Sequence, residues 1–234
     1  GELAVVTEEG SGHGAMLRVS RDGGQTFSRA ITVFTGLEPG VLDPSCPFDS
    51  SVGARQRALM SPRVTFDRAG DLHVVAALGN RLQGSTNATD LPGVSGGLAV
   101  VGHALVRGGR VVARTAVTAP TTDQQWAPAI APLPKGGVAV EWLQTAGPTR
   151  TSYDAWSAVL GAGASRFAPP QRLSDSASTF PAAMEAADNS NCYGVGDYIG
   201  LAPTPTGVAA VWPTTVGDVP GVDSDVILRL GVAA

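Results

Sequence analysis

The sequence has little of what several protein classes require. Among its 234 residues only 15% are charged and 6% aromatic, and Lys135 is the single lysine. The formal net charge is −4 and the arginines are scattered, which argues against nucleic acid as a partner. No apolar run approaches the roughly 18 residues of a membrane-spanning helix. The sequence therefore predicts neither a nucleic-acid-binding protein nor a membrane span.

Cysteine is also scarce. Cys46 and Cys192 fit no zinc or redox spacing, and both lie in polar, loop-like sequence. Two free thiols are one interpretation, but an exported protein more often pairs such residues, so we expect one disulfide. The chain opens directly with Gly1, without a basic-then-apolar signal segment. We interpret it as a mature or excised piece of an extracellular or secreted protein.

Metal and cofactor motifs are missing from the sequence. The histidines are far apart, and His73 and His103 fall within predicted strands, where packed or surface residues are a better interpretation than metal ligands. Asp188, Asn189 and Asn191 offer oxygen atoms for Ca²⁺, but the same residue types form ordinary turns, and we favour turns. We therefore predict no cofactor and no metal site.

The abundant residues are the turn formers, with 30 glycines and 17 prolines. Many short elements joined by Gly and Pro turns favour an all-β sandwich, barrel or propeller. The chain also matches itself four times, each copy being a turn followed by a strand. The copies are Gly1–Thr7, Gly70–Ala76, Gly136–Trp142 and Thr206–Trp212.

The spacing of these copies, about 65 to 70 residues, is typical of a repeat architecture. A second apolar stretch precedes each of the last three copies, and a hairpin follows each of the first three. We predict one domain, 1–234, with an all-β β-propeller fold of four-stranded antiparallel blades. The blades are 1–35, 61–118, 126–174 and 197–232, with three, four, four and three strands. A β-sandwich and another β-solenoid are the alternatives.

The first hairpin carries a defined motif, S-x-D-x-G-x-T-F. Its residues are Ser20, Asp22, Gly24, Thr26 and Phe27. Asp followed by two glycines predicts a tight turn, in which Ser20 and Asp22 satisfy the backbone donors and Phe27 folds back into the core.

This motif resembles the Asp-box of the bacterial neuraminidase repeat, which is found in sialidases and related β-propellers. The resemblance implies an outer hairpin of a blade with a structural role and no part in catalysis. The corresponding turns of the next two copies have Arg107 and Ala162 where the box has Asp22. Because sialidase propellers have six blades and need a longer chain, three interpretations are open: part of a larger ring, an unusually small closed ring, or open ends that pair with another chain. We favour part of a six-bladed ring.

Two long connections, 36–61 and 174–196, fall on the same face of such a propeller and contain the two cysteines. Long ordered loops are usually functional, so this face is the predicted site. On it, the resemblance to sialidases implies a nucleophilic Tyr activated by Glu, an Asp acid/base, and several Arg residues that bind a substrate carboxylate.

The candidate residues follow from that scheme. Glu141 stands in a column where the other copies have valine, and a buried carboxylate must be hydrated, paired or functional. Gly196–Ala202 resembles a Gly-Asp-Tyr segment of secreted sialidase-like proteins. The predicted catalytic residues are Glu141, Asp197 and Tyr198, and the predicted substrate-binding residues are Arg55, Arg57, Arg63, Trp126 and Tyr193. The Arg-Ile-Pro motif of the family is absent.

Three functions remain open. The first is an extracellular sialidase-like propeller that binds a carbohydrate and hydrolyses it as an exo-sialidase. The second is a non-catalytic adhesion or assembly module that pairs through open edge strands, as a homo-oligomer or with a missing propeller segment. The third is another kind of hydrolase that uses the carboxylates of the same face.

Overall fold

The computed structural model describes residues 1–8, 14–35, 48–49, 56–57, 62–78, 100–119, 123, 125–146, 152–179, 199–214 and 225–233. Within these ranges the backbone forms seventeen strands and no helix. No helix long and apolar enough to cross a membrane occurs in this part of the chain. The fold is therefore all-β, as predicted.

The first half of the chain contributes two sheets and a short strand pair. Sheet I consists of β1 (Leu3–Glu8), β2 (Gly14–Ser20) and β3 (Ile31–Thr35). Strands β4 (Phe48–Asp49) and β5 (Gln56–Arg57) pair only with each other within the described residues. Sheet II consists of β6 (Arg63–Phe66), β7 (Leu72–Leu78), β8 (Val100–Arg107) and β9 (Arg110–Ala116).

The second half contributes two more sheets. Sheet III consists of β10 (Gln125–Pro132), β11 (Gly137–Ala146), β12 (Ser152–Gly161), β13 (Gln171–Arg172) and β14 (Ser178–Thr179). Sheet IV consists of β15 (Gly200–Thr204), β16 (Gly207–Thr214) and β17 (Asp225–Ala233). Sequential strands pair antiparallel in sheets I, II and IV and from β10 to β13 of sheet III, whereas β14 pairs with β12.

The strand numbers agree with the prediction in three sheets and differ in one. Sheets I, II and IV have three, four and three strands, whereas sheet III has five, because β13 and β14 each pair with β12 by two residues. The fourth strand predicted for the blade 126–174 is thus only the two residues of β13. Asp154 of β12 fixes the segment around β13, because Arg172 and Ser174 both donate hydrogen bonds to its Oδ1, at 2.6 and 2.8 Å.

The four sheets pack face to face in chain order, and three apolar cores lie between them. Val74 and Leu17 lie in the core between sheets I and II. Val75 and Trp142 lie in the core between II and III, and Trp212 lies with other apolar residues between III and IV. The first strand of sheet III, β10, contacts β6 of sheet II and β15 of sheet IV. The first strands of these three sheets therefore lie side by side.

A polar network joins sheets II and III at the end opposite the hairpin turns. The Gln125 side chain is buried, and its Oε1 accepts from the Val101 backbone at 3.0 Å. Its Nε2 donates to Thr118 at 2.9 Å and to Gln144 Oε1 at 3.0 Å. Trp142 Nε1 also donates to Gln144 Oε1, at 3.2 Å. These bonds satisfy buried polar atoms and fix how the two sheets meet.

Candidate functional site

The predicted Asp-box turn forms between β2 and β3. Ser20 Oγ accepts from the Gly24 backbone N–H at 2.8 Å and donates to Asp22 Oδ1 at 2.8 Å. Asp22 accepts from the Thr26 backbone at 2.9 Å and from the Thr26 hydroxyl at 2.5 Å. These bonds stabilise the carboxylate and lower the pKa of Asp22 to about 2. The turn is held by its own side chains, which is a structural role.

The corresponding turn of sheet II is built differently. In sheet II the two glycines alone form the turn, with φ +57° at Gly108 and +76° at Gly109, as a two-residue hairpin requires. Arg107, which replaces the box aspartate, forms a bidentate ion pair with Asp71 of the β6–β7 turn. That pairing lowers the pKa of Asp71 and raises that of Arg107. The same position of the repeat therefore stabilises its turn through hydrogen bonds within the turn in sheet I, where it is Asp22, and through an ion pair with the neighbouring turn in sheet II, where it is Arg107.

The prediction that Phe27 folds back into the core is wrong, because its side chain is 43% exposed. Its counterpart in sheet III, Phe167, shows why. The backbone bond from Ala168 N to Val159 O matches the bond from Ser28 N to Val19 O, so the two phenylalanines are equivalent. Phe167 packs edge-on against His103 of the preceding sheet at 5.2 Å. No sheet precedes sheet I in the described chain, so Phe27 lacks that partner.

Glu141 lies in the middle of β11, paired with Ala129 and Ser157. Its side chain is fully buried, and neither carboxylate oxygen has a hydrogen-bond partner in the described structure. Ala139 and Leu143, two residues away on either side, lie in the core between sheets III and IV, so Glu141 faces the same core. Within the described structure it therefore has none of the hydrogen bonds that would pair a buried carboxylate.

Burial raises the pKa of Glu141 well above its ordinary value. Burial therefore favours the neutral carboxyl over the carboxylate at this position. Trp212 of sheet IV belongs to the same core, and its Nε1 is also buried without a partner among the described residues. We call these two groups the III–IV site. Two unpartnered polar groups in one apolar core are unusual in a native protein.

The predicted aromatic contact Trp126 is buried. A β-bulge between Trp126 and Ala129, with φ +48° at Ala127, places two consecutive residues on the same face of β10. Trp126 and Ala127 both enter the III–IV core, and Trp126 packs edge-on against Tyr153 at 6.2 Å. Its indole offers no free face to a sugar in this arrangement.

Of the predicted arginines, Arg63 is described. It is exposed, begins β6 and pairs with Val75. Ala129 pairs with Glu141 and Gly200 with Val211 in the same way, so Arg63 occupies in sheet II the place of Ala129 in sheet III. Arg57 belongs to β5, but its side chain lies outside the described part. The other predicted residues outside the described ranges are Cys46, Arg55, Cys192, Tyr193, Asp197 and Tyr198, and the Ca²⁺ candidates Asp188, Asn189 and Asn191.

A histidine pair between sheets II and III was not predicted as a pair. His73 Nδ1 and His103 Nε2 are 2.9 Å apart, and the rings stack at 5.2 Å. Asp67 Oδ2 lies 3.5 Å from His73 Nε2 and favours a proton there. His73 Nδ1 then accepts from His103 Nε2, which leaves the buried Nδ1 of His103 as a lone pair without a partner in the described structure.

The pair borders a cleft of about 290 Å³ at the turn end, which Asp67, Asp71 and Arg107 also line. Burial lowers the pKa of both histidines, that of His103 to about 3. Both rings are therefore neutral near pH 7, and of the two predicted positions, packed or at the surface, both take the packed one. No group of three or more His, Cys, Asp or Glu residues that could hold a metal ion occurs in the described ranges.

Comparison with known proteins supports the fold alone. No protein-family model and no curated protein matches the chain. A solved structure of a protein of unknown function from Dyadobacter fermentans is similar, with a TM-score of 0.51 and 15% sequence identity. The match covers 97% of this chain and 49% of that one, so this chain spans about half the length of that protein.

Proposed function

We propose that this chain is an extracellular, sialidase-like β-propeller that binds a glycan and hydrolyses it with Glu141 of the III–IV site as the proton carrier. The architectural support is the packing of four antiparallel sheets in chain order, with β6, β10 and β15 side by side. Neighbouring first strands are expected of propeller blades, which share a central axis. The Asp-box hairpin adds the local support, since its hydrogen bonds are those its sequence predicts.

The observation that carries the proposal is the unpartnered carboxyl of Glu141. Val75 and Val211 occupy the same place in sheets II and IV, paired with Arg63 and Gly200. A valine there would bury apolar surface at no electrostatic cost, whereas an unpartnered carboxyl costs about 1 to 3 kcal/mol even when it is neutral. A group that lowers stability in this way, at a position where valine fits, is a functional candidate.

The neighbouring sheet supports the assignment of the partner residues. Glu141 faces sheet IV, and β15 of that sheet contacts β11. Asp197 and Tyr198 immediately precede Ile199, which packs against the III–IV core. In the proposed reaction Tyr198 is the nucleophile, Glu141 takes and returns its proton, and Asp197 is the acid/base. The raised pKa of Glu141 brings its proton affinity closer to neutral pH, where such a transfer is efficient.

Release of fluorophore from a fluorogenic sialoside by the 234-residue chain tests the proposal. We expect turnover in the wild type and a loss of at least ~100-fold in Glu141→Gln, which keeps the side-chain shape and removes the acid. Glu2→Gln is the matched control, since Glu2 is an exposed carboxylate at the Asp-box turn. Circular dichroism of each variant reports whether the fold is retained.

Two results would contradict the proposal. Wild-type protein without turnover on sialosides and on other glycosides excludes hydrolysis. Equal turnover in Glu141→Gln and wild type excludes Glu141 as the proton carrier. Glu141→Val adds an independent measurement, because valine restores the residue of the other sheets. We expect this variant to be inactive and more stable by about 1 to 3 kcal/mol, the pattern of a group retained for function.

A further inference from the structure

The outer face of sheet I, defined here by Leu3 and Val5, exposes two large apolar side chains. They are 47% and 43% exposed. Ala4 and Val6, which alternate with them on β1, instead pack against the core shared with sheet II. Because alternate residues of a strand face opposite sides, Leu3 and Val5 point away from sheet II.

The repeat shows what such side chains do elsewhere in the chain. Leu72 and Val74 of sheet II correspond to Leu3 and Val5, and both are buried in the core shared with the preceding sheet I. Val140 of sheet III packs on sheet II. Val208 and Ala210 of sheet IV pack on sheet III. In sheets II, III and IV, the residues at the positions of Leu3 and Val5 thus pack against the preceding sheet.

Leu3 and Val5 therefore occupy positions that other copies use to contact a preceding sheet. The face has the composition of a sheet–sheet interface, not of a solvated surface.

Sheet IV exposes the complementary half of this contact. Val75 of sheet II and Ala139 of sheet III pack on the sheet that follows. Their counterparts in sheet IV, Val211 and Ala209, are only half-buried, and Leu228, which pairs with Val211, is 63% exposed. We call the surface of Ala209, Val211 and Leu228 the outer face of sheet IV.

We propose that the outer face of sheet I binds the outer face of sheet IV in a second copy of the chain. The contact would repeat the sheet packing that the chain already forms between I and II, II and III, and III and IV. Two copies can satisfy each other through two such contacts, which closes the assembly and covers both faces. This inference uses the packing of the sheets and does not depend on glycan hydrolysis.

The mass in solution tests it. We expect analytical ultracentrifugation of the 234-residue chain to give twice the 23.7 kDa monomer mass. The protein concentration should span about 1 to 100 µM, which covers dissociation constants in the micromolar range. Leu3→Asp and Leu228→Asp should each raise the dissociation constant of the dimer at least ~10-fold, because each substitution places a carboxylate in the buried contact between the two faces. Val112→Asp is the matched control, an exposed apolar residue of β9 outside both faces, and should leave the mass unchanged.

Mixing the two interface variants distinguishes this contact from others. Leu3→Asp and Leu228→Asp each retain one intact face, so a mixture should form a heterodimer that neither variant forms alone. A symmetric contact between two I faces would instead leave Leu228→Asp fully dimeric. A wild-type chain that is monomeric at every concentration overturns the proposal, and the face is then covered by something other than a second copy. Turnover of the fluorogenic sialoside tests the proposed hydrolase activity separately, so the two proposals can fail independently.

Discussion

Sheets II and III have a neighbouring sheet on each face, whereas in the described chain sheets I and IV each have a neighbour on one face. The same repeat positions therefore have different environments. Val74 is fully buried between two sheets, and Val5, its counterpart, is 43% exposed. The comparison teaches that a repeat fixes which side chains face a neighbour, while the position of the copy in the series decides whether that neighbour exists.

The largest effect should separate these two positions directly. Val74→Asp places a carboxylate in a core with no partner, so we expect a loss of about 4 kcal/mol or more in the free energy of unfolding. Val5→Asp should change the stability of the dilute chain by less than about 0.5 kcal/mol, since the charge stays hydrated. Urea denaturation of both variants measures the difference. Equal losses would mean that the outer face of sheet I is covered within one chain.

The inner turns offer a second comparison. A Cβ at Gly137, which has φ +80°, would lie 2.1 Å from the Leu160 carbonyl oxygen, whereas the space around Gly70, with φ +84°, is open. Gly70→Ala should cost about 1 kcal/mol from backbone strain alone. Gly137→Ala should lower the free energy of unfolding at least twice as much, by about 2 to 3 kcal/mol, because the backbone at Leu160 and Gly161, where β12 ends, must move as well. Denaturation midpoints with equal shifts would contradict the tight contact of these hairpins.

The contact between the two inner sheets should also be sensitive to acid. The folded pKa of His103 is about 3, below the unfolded value of about 6.5. Protons therefore bind the unfolded chain more tightly, and stability falls as pH drops below 6.5. His103 alone should remove about 2 kcal/mol between pH 7 and pH 5.

Asp67, Asp71 and Arg107 also face this cleft, so the measurement needs a control variant. Denaturation of His103→Gln at both pH values should lose about 2 kcal/mol of the pH dependence, and the contribution of His73, whose pKa burial also lowers, should remain. A pH dependence as steep as that of the wild type would contradict the burial of a neutral imidazole.

The smallest expected difference concerns the two equivalent phenylalanines. Phe167→Ala removes a half-buried ring from His103 and should cost about 1 to 2 kcal/mol. Phe27→Ala should cost less than about 0.5 kcal/mol in the dilute chain, because the ring has no such partner. Thermal unfolding of the two variants gives the comparison, and a larger loss for Phe27→Ala would contradict the exposed position of this ring.

Much of the fold could be predicted from local sequence. Gly-rich turns flanked by apolar residues predicted the hairpins, and four matching segments predicted four sheets. The bonds of Ser20 and Asp22 followed from side chains two to four residues from their partners. Such short-range features need no knowledge of the rest of the chain. The closure of the sheets into a ring stays a prediction.

The candidate site was predictable only in part. Glu141 stood out because the repeat aligns it with valines, but whether it met solvent, a backbone donor or an apolar core depended on sheet IV. The histidine pair was not predicted, because 21 residues separate β7 from β8 and a connection of this length does not set the register between two strands. That register brings Val75 opposite His103 and so places His73 beside it.

The sequence by itself determined the strands, the turns and the face on which each side chain lies, because these depend on the two-residue period of a strand and on residues close together in the chain. Only the tertiary structure decided which faces are covered: Val74 buried and Val5 exposed, Phe167 packed and Phe27 free of that contact, Glu141 enclosed without a partner. Burial depends on what lies across each interface, and that neighbour comes from another part of the chain.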